Sequence, residues 1–124
     1  MKRLLRVDEL DTDVERVAID AAARWGQVVT LKGRTTVVAD PSGKCLRHEV
    51  RNAALATAGT GDVLAGAIAG LLAQDLQPFD AAVLGVYLHG AAGGLLRKDL
   101  GTAGTIASDL LPRLPLAIRE LRGD

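Results

Sequence analysis

The segment of the sequence best suited to chemistry is a glycine-rich turn that leads directly into an apolar run. Gly59 and Gly61 flank Thr60, and Asp62 follows them at once. Glycine permits positive φ and close backbone approach, and such a turn entering a helix leaves backbone N–H groups without intrahelical acceptors. Those donors and the positive end of the helix dipole form a site for a phosphate or a developing oxyanion. Asp62 lies beside that site, where an ionised carboxylate can accept a proton from a hydroxyl.

The same residues also allow a purely structural interpretation. Thr60 can serve as an N-cap and Asp62 can favour the helix dipole without any ligand. No Lys-Ser/Thr pair follows the glycines, so the segment is not a Walker A loop. The Gly-Thr-Gly-Asp pattern alone does not separate the two interpretations.

The other reactive side chains are few and widely spaced. The chain has one cysteine, Cys45, and two histidines, His48 and His89, which excludes an internal disulfide and a zinc site. Lys44 and Arg47 beside Cys45 would lower the pKa of its thiol, but we interpret this residue as one that fills space in a strand. His48 is interpreted as a surface residue. His89 is interpreted as a hydrogen-bonded core or interface histidine rather than a catalytic one.

The elements before the glycine-rich turn are predicted to be one helix and three short strands. Apolar residues at helical spacing predict a helix over 14–25 that ends at Gly26, with Thr12 and Glu15 spaced as a capping box. β-Branched residues predict strands over 28–31 and 35–39. A type I turn signal over 40–43 predicts a third strand over about 44–49.

Helices are predicted after the turn. The pattern indicates a helix from Thr60, a second whose residues 81–96 are apolar nearly all round, and a third over about 102–111 interrupted at Pro112 and Pro115. Helices packed on strands define the α/β class, although the strands are too few for a complete sheet.

Three groups of residues receive structural interpretations only. The pair Ser108-Asp109 is expected to cap a helix or hold a loop. Four glycines are expected to permit close helix packing: Gly66, Gly70, Gly93 and Gly94. Three arginines near the end are interpreted as a solvated face: Arg113, Arg119 and Arg122.

Composition argues against several classes of partner. The 15 basic residues balance the 15 acidic residues, so no global field favours nucleic acid or anionic lipid. The longest apolar run, 63–73, is far shorter than the ~20 residues of a membrane span. The first residues lack the apolar core of a secretory signal. We therefore expect a cytoplasmic protein with neither nucleic-acid nor membrane partners.

Four stretches, in order along the chain, resemble the NAD(P)H-hydrate dehydratases of the ribokinase-like carbohydrate kinase fold. Residues 56–66, Ala-Thr-Ala-Gly-Thr-Gly-Asp-Val-Leu-Ala-Gly, resemble the anion-hole signature of that family. Residues 29–36 resemble its Leu-Lys-Gly-x-x-Thr segment, and 88–93 and 107–110 resemble two further stretches. Related thiazole and pyrimidine kinases usually have Cys at the position of Asp62, which disfavours them.

The resemblance implies roles for the matched residues. Asp62 would contact the substrate, the hydrated form of NADH or NADPH, and act as the catalytic base that takes the proton from its hydroxyl. ADP or ATP would phosphorylate that hydroxyl, with Mg²⁺ as cofactor, and phosphate elimination would restore the nicotinamide cofactor. Gly61 would lie against the nucleotide phosphate. The implied anion hole comprises Ala58, Gly59, Thr60 and Gly61. The implied AMP-contacting segment comprises Lys32, Gly33, Arg34, Thr35 and Thr36.

The sequence also departs from the family pattern. Ala53 and Ala54 stand where the family often has Pro and Gly after the matched Asn52, so we expect a less rigid loop there. Family members also have a front half with early strands and a His-Pro-Gly-Glu substrate segment, which this sequence lacks. We therefore expect residues 1–124 to form one domain, the C-terminal part of a three-layer ribokinase-like fold. It would be a fragment, or a homo-oligomer whose partner chains complete the sheet.

Two alternative functions stay open. One is a small-molecule kinase of the same fold that acts on a sugar or a vitamin precursor. The other is a non-catalytic fragment that binds nucleotide phosphate or only self-associates.

Overall fold

The computed structural model describes residues 1–6 and 13–124, which form two compact units, Met1–Glu49 and Val50–Asp124. The first contains helices and a three-stranded antiparallel sheet of order β1-β2-β3, and the second is helical throughout its described elements. This composition confirms the predicted α/β class. The elements of the first unit are α1 (Lys2–Leu5), α2 (Val14–Trp25), β1 (Val29–Leu31), β2 (Thr35–Ala39) and β3 (Cys45–Glu49).

Helix α2 begins and ends with local signals in the sequence. The Asp13 carboxylate accepts hydrogen bonds from the amides of Glu15 and Arg16, at 3.1 and 3.3 Å, and so satisfies two of the donors that a helix start leaves free. Gly26 ends the helix with a φ of 62°. The predicted capping partner Thr12 lies outside the described residues.

The core of the first unit forms where α2 packs on the sheet. Three alanines on one face of the helix, Ala18, Ala21 and Ala22, are at most 1% exposed. They pack with Val29 and Val37 of the sheet. Because alanine is small, the helix lies close to the β-branched strand residues, and a core nearly free of aromatic side chains is sufficient.

The predicted turn between β2 and β3 is confirmed. The Asp40 carboxylate accepts from the Ser42 hydroxyl at 2.6 Å and from the amides of Ser42 and Lys44 at 2.8 and 3.1 Å. The Ser42 hydroxyl is the largest cause of the lowered pKa of Asp40. The turn sets the register in which Ala39 faces Cys45.

The second unit is built around one long buried helix. Its α-helices are α3 (Thr60–Leu72), α4 (Pro78–Leu100) and α5 (Leu114–Arg122), and its two 3₁₀ helices are Ala53–Ala56 and Ala107–Arg113. Buried residues recur along α4 from Ala81 to Leu96, which confirms the predicted buried helix.

Two glycines of α4 allow neighbouring elements to approach closely. A Cβ at Gly85 would lie 2.5 Å from Ile68 Cγ1, and one at Gly93 would lie 2.7 Å from Leu55 Cδ2. The close-packing role predicted for Gly93 is therefore confirmed, and Gly85 has the same role, which the sequence did not predict. The same prediction is wrong for Gly66, Gly70 and Gly94, because a Cβ at these positions would meet no atom within 4 Å among the described residues.

In the described part of the chain, α4 is the one helix long and apolar enough to cross a membrane, judged by length and composition alone. Its most apolar 18-residue window is 56% buried within the fold. The buried core helix of a soluble protein passes the same test. Helix α4 packs against α3, α5 and both 3₁₀ helices.

The helix predicted over 102–111 is wrong in its first half. Residues 101–106 are not helical, because Gly101 and Gly104 adopt positive φ values of 79° and 77°. The 3₁₀ helix begins at Ala107 and contains Pro112. Pro115 lies in the first turn of α5, where the missing proline N–H breaks no hydrogen bond.

Candidate functional site

The glycine-rich turn forms a tight loop, Thr57–Asp62, at the start of α3. Gly59 occupies the N-cap position with a φ of 88° and a ψ of −12°. Residues other than glycine rarely adopt this backbone conformation. Its carbonyl accepts from the amides of Asp62 and Val63 at 3.0 and 3.3 Å. The Thr60 amide donates to the Thr57 carbonyl at 3.3 Å. The positive φ at Gly59 thus turns the chain straight into the helix.

Three amides of the loop have no protein acceptor in the described part of the chain. They belong to Ala58, Gly59 and Gly61. Ala58 and Gly59 are exposed and Gly61 is half-buried. Amides left free at the N-terminus of a helix attract an anion, because their dipoles and the helix dipole point the same way. The loop is therefore suited to bind a phosphate.

The buried Thr60 side chain stabilises the loop through hydrogen bonds to backbone carbonyls. The residue is 2% exposed, and its hydroxyl lies 2.7 Å from the Leu55 carbonyl and 2.9 Å from the Thr57 carbonyl. Gly59, not Thr60, holds the N-cap position, so the interpretation of Thr60 as an N-cap is wrong. Its hydroxyl already has protein acceptors and faces away from solvent.

Asp62 lies in the first turn of α3 and is exposed. Its side chain has no hydrogen bond or ion pair with any other described residue. A carboxylate of this kind keeps its acceptor atoms free for a ligand, and the free amides of the same loop lie next to it in the chain.

Two side chains of the second unit fix the surroundings of the loop. Asn52 accepts from the Ala54 amide at 3.1 Å and donates from Nδ2 to the Gly93 carbonyl at 2.6 Å. The segment expected to be less rigid is thus a capped 3₁₀ helix with Ala54 only 1% exposed.

His89 is 5% exposed, and its Nε2 lies 2.8 Å from the Thr60 carbonyl, which confirms the interpretation of a hydrogen-bonded core histidine.

The C-terminal 3₁₀ helix approaches the loop at Gly59. A Cβ at Gly59 would lie only 3.1 Å from the Ala107 Cβ. This helix is held in place by Asp109, whose carboxylate accepts from the Ile106 amide at 2.9 Å, as expected for a capping residue. Arg113 donates to the Asp109 carbonyl at 2.7 Å and pairs with Asp99 at 3.2 Å. The interpretation of Arg113 as solvated is therefore wrong, since its side chain is 14% exposed.

The predicted nucleotide-contacting residues lie together in the first unit, in the hairpin between β1 and β2. Lys32, Gly33 and Arg34 are exposed in the turn, and Thr35 and Thr36 are half-buried at the start of β2. Neither Lys32 nor Arg34 makes an ion pair with another described residue. The hairpin therefore presents two free cations and two hydroxyls.

One further sequence interpretation is confirmed and one is wrong. Cys45 is half-buried in β3, as expected of a residue that fills space in a strand. Burial raises the pKa of its thiol, and the carboxylates of Glu15 and Asp13 act in the same direction. His48 is half-buried rather than a surface residue, and its Nε2 is buried without a hydrogen-bond partner in the described part of the chain.

The described residues contain no group of three or more His, Cys, Asp or Glu side chains that could hold a metal ion. An apolar pocket between α4 and α5 is lined by Asp80, Val83, Leu84, Tyr87 and Leu121. It contains none of the predicted site residues.

Residues 1–116 match the family model described as NAD(P)H-hydrate dehydratase. This chain belongs to that family. It is 45% identical over 123 residues to the bifunctional NAD(P)H-hydrate repair enzyme Nnr of Moorella thermoacetica, an alignment that covers 98% of this chain and 23% of that enzyme. It is 40% identical over 111 residues to the ADP-dependent (S)-NAD(P)H-hydrate dehydratase of Bacillus subtilis, with 87% of this chain and 40% of that enzyme covered. The chain thus spans less than half the length of these relatives.

Solved structures share the fold. The structure of Bacillus subtilis YxkO aligns with a TM-score of 0.85 at 33% identity, covering 94% of this chain and 46% of that one. The ADP/ATP-dependent NAD(P)H-hydrate dehydratase from Bacillus subtilis, co-crystallised with ATP/Mg²⁺, aligns with a TM-score of 0.83 at 36% identity, covering 91% and 41%. The fold expected from the four sequence stretches is that of these two solved structures, and this chain corresponds to part of it.

Proposed function

We propose that this chain carries the phosphate-binding loop and the catalytic base of a nucleotide-dependent NAD(P)H-hydrate dehydratase. The observation that carries the proposal is the Thr57–Asp62 loop, which combines three free amides with a free carboxylate. Its support is membership in the dehydratase family over residues 1–116. The co-substrate would be ADP or ATP, because a relative is described as ADP-dependent and a solved one was co-crystallised with ATP/Mg²⁺.

The amides of the loop bind the transferring phosphate in this proposal. Phosphoryl transfer depends mainly on positioning and on neutralising the charge of the phosphate oxygens. Backbone donors suit this task because they are fixed before the substrate arrives and need no reorganisation. Gly61 is the main donor to the phosphate in this proposal, since its amide lies in the first turn of α3, between Thr60 and the proposed base.

Asp62 acts as the general base. The hydroxyl of the hydrated nicotinamide attacks the terminal phosphorus of the nucleotide, and the Asp62 carboxylate accepts the proton of that hydroxyl. The nucleotide leaves with one phosphate fewer, and elimination of the new phosphate ester restores NADH or NADPH. An exposed carboxylate with no protein partner is suited to this role because its acceptor atoms are not already occupied.

The hairpin supplies the nucleotide contacts in this proposal. These residues would contact the AMP portion of the nucleotide, where Lys32 and Arg34 are exposed cations suited to its phosphate and Thr35 and Thr36 add hydroxyl donors. Mg²⁺ would arrive with the nucleotide, because this ion takes most of its ligands from phosphate oxygens and water and needs only one or two carboxylates.

The test is the turnover of hydrated NADH by the Asp62→Asn variant. We expect the variant to bind ADP with Mg²⁺ as the original chain does, and to lose turnover by about 10²–10⁴-fold, the typical contribution of a general base. Turnover is measured as recovery of NADH absorbance, with the chain alone and with the remaining part of a family enzyme supplied. Hydrated NADH is compared with sugars and vitamin precursors, the substrates of kinases of this fold.

Asp80→Asn is the matched control, because Asp80 also lies exposed in the first turn of a helix. This control is expected to leave turnover unchanged. Equal turnover by the Asp62→Asn variant would remove Asp62 from its role. Phosphorylation of a sugar or vitamin precursor in preference to hydrated NADH would replace the proposal with a kinase activity.

A further inference from the structure

His89 is a buried polar residue to which the proposed function assigns no task. It lies in the middle of α4, is 5% exposed, and has its Nε2 atom 2.8 Å from the Thr60 carbonyl oxygen. Because a carbonyl oxygen only accepts, Nε2 carries the proton and donates it. The bond links residues 29 positions apart in sequence. It therefore fixes the first residue of α3 to a different helix.

The acceptor belongs to the peptide that contains the Gly61 amide. The carbonyl of Thr60 and the N–H of Gly61 lie in one peptide plane, which is trans, and they point in opposite directions. A bond that fixes the carbonyl therefore fixes the direction of the N–H. The Gly61 amide is one of the three that have no acceptor within the described residues, and amides of a first helical turn point out of its N-terminus.

A hydrogen bond to the carbonyl also changes the donor strength of the amide. The Thr60 carbonyl has two lone pairs, of which the helix uses one for the amide of Leu64. The histidine takes the second and draws electron density from the peptide nitrogen, so the Gly61 N–H becomes a stronger donor. The effect is larger in a buried setting, where water does not screen the bond.

We infer that His89 is a positioning residue, which aims and strengthens the Gly61 N–H toward the phosphate by donating Nε2–H to the Thr60 carbonyl. This inference rests on the proposed phosphate-binding role of the loop. Thr60 supports the same peptide with its side-chain hydroxyl, and Gly59 turns the chain on the other side of it. His89 is the contact that acts directly on the peptide plane.

Two substitutions of His89 distinguish the loss of its hydrogen-bond donor from the loss of its side-chain volume. His89→Gln keeps an N–H donor at the same number of bonds from Cβ, whereas His89→Met fills a similar volume with no donor. Leu96→Val is the matched control for general loosening of the core, because Leu96 is fully buried on the same helix and packs with Ala54 and Leu110. None of these changes touches the loop sequence itself.

The peptide can be observed directly by NMR. Thr60-Gly61 is the single Thr-Gly pair in the sequence, so labelling threonine with carbonyl ¹³C and glycine with ¹⁵N yields one carbonyl-to-amide correlation. That signal reports the Thr60 carbonyl and the Gly61 amide together. Titration with inorganic phosphate, followed on the same signal, gives the affinity of the loop, and urea unfolding of each variant gives its stability.

We expect His89→Met to shift the Thr60 carbonyl and Gly61 nitrogen resonances and to weaken phosphate binding by roughly 5- to 10-fold, the effect of losing one hydrogen bond. His89→Gln should restore most of both, and Leu96→Val should change stability without changing either. Unchanged resonances, or unchanged phosphate affinity, in His89→Met would overturn the role of His89 alone. Absence of phosphate binding by the original chain would overturn the proposed loop function, and the role of His89 with it.

Discussion

In the Thr57–Asp62 loop, the groups that remain free for a ligand differ from the groups that hold the backbone. Asp62 is exposed, and the amides of Ala58, Gly59 and Gly61 have no acceptor among the described residues. The Thr60 hydroxyl, in contrast, is hydrogen-bonded to two carbonyls. The family resemblance implied an anion hole of Ala58, Gly59, Thr60 and Gly61, but the Thr60 amide donates to the Thr57 carbonyl and is not free. The sequence also did not predict the inward role of the Thr60 hydroxyl, which depends on the carbonyls of Leu55 and Thr57.

Substitution of Gly59 tests whether the positive φ in the loop requires glycine. Gly59→Ala places a Cβ at a φ of 88° and 3.1 Å from the Ala107 Cβ. We expect it to lower the free energy of unfolding by about 1–3 kcal/mol, because both strain and crowding act. Urea unfolding measures this change.

Gly66→Ala is the control for the Gly59 substitution. Gly66 lies inside α3 with nothing within 4 Å of its added Cβ, so alanine there should raise stability by about 0.5–1 kcal/mol. Equal effects of the two substitutions would show that the Gly59 conformation is not required.

At the scale of elements, the sequence predicts what local chemistry decides. The strand over 35–39 and the helix over 14–25 have the predicted bounds, because β-branched runs, apolar spacing and a terminal glycine are properties of the segment itself. The helix expected from Thr102 was wrong, since positive φ at Gly101 and Gly104 prevents it. The partners His89–Thr60 and Arg113–Asp99 could not be predicted, because each joins positions far apart in sequence.

The start of α2 provides a test at this scale. Asp13→Ala removes the acceptor of two helix amides, so we expect a loss of about 1 kcal/mol in the free energy of unfolding. Asp20→Ala is the control, because its pair with Arg16 is long, at 4.0 Å, and 74% exposed on the Asp20 side, and such pairs contribute little. A larger loss in the control than in Asp13→Ala would contradict the assignment of the cap.

At the scale of the whole molecule, the central fact is that the chain corresponds to part of its relatives. It covers 23% and 40% of two family enzymes. Its sheet has three strands, and β1 and β3 each have one edge without a partner strand among the described residues. Unpaired strand edges favour association, so the homo-oligomer predicted from the sequence stays a prediction.

Sedimentation tests that prediction. We expect the chain to sediment as a dimer or a larger assembly, with a concentration-dependent coefficient, because pairing of β1 or β3 with a second copy satisfies edge amides. Protection of the edge amides of these strands in hydrogen exchange should rise with concentration. A single monomeric species with fully protected core amides would contradict it.

Isothermal titration of the chain with ADP, ATP and AMP in the presence of Mg²⁺ tests the proposed phosphate site at Thr57–Asp62 most directly. We expect saturable binding of ADP or ATP that is lost in Gly59→Ala and retained in Gly66→Ala, since only the first distorts the free amides of the loop. Absence of nucleotide binding, or equal binding by both variants, would contradict a phosphate site at Thr57–Asp62.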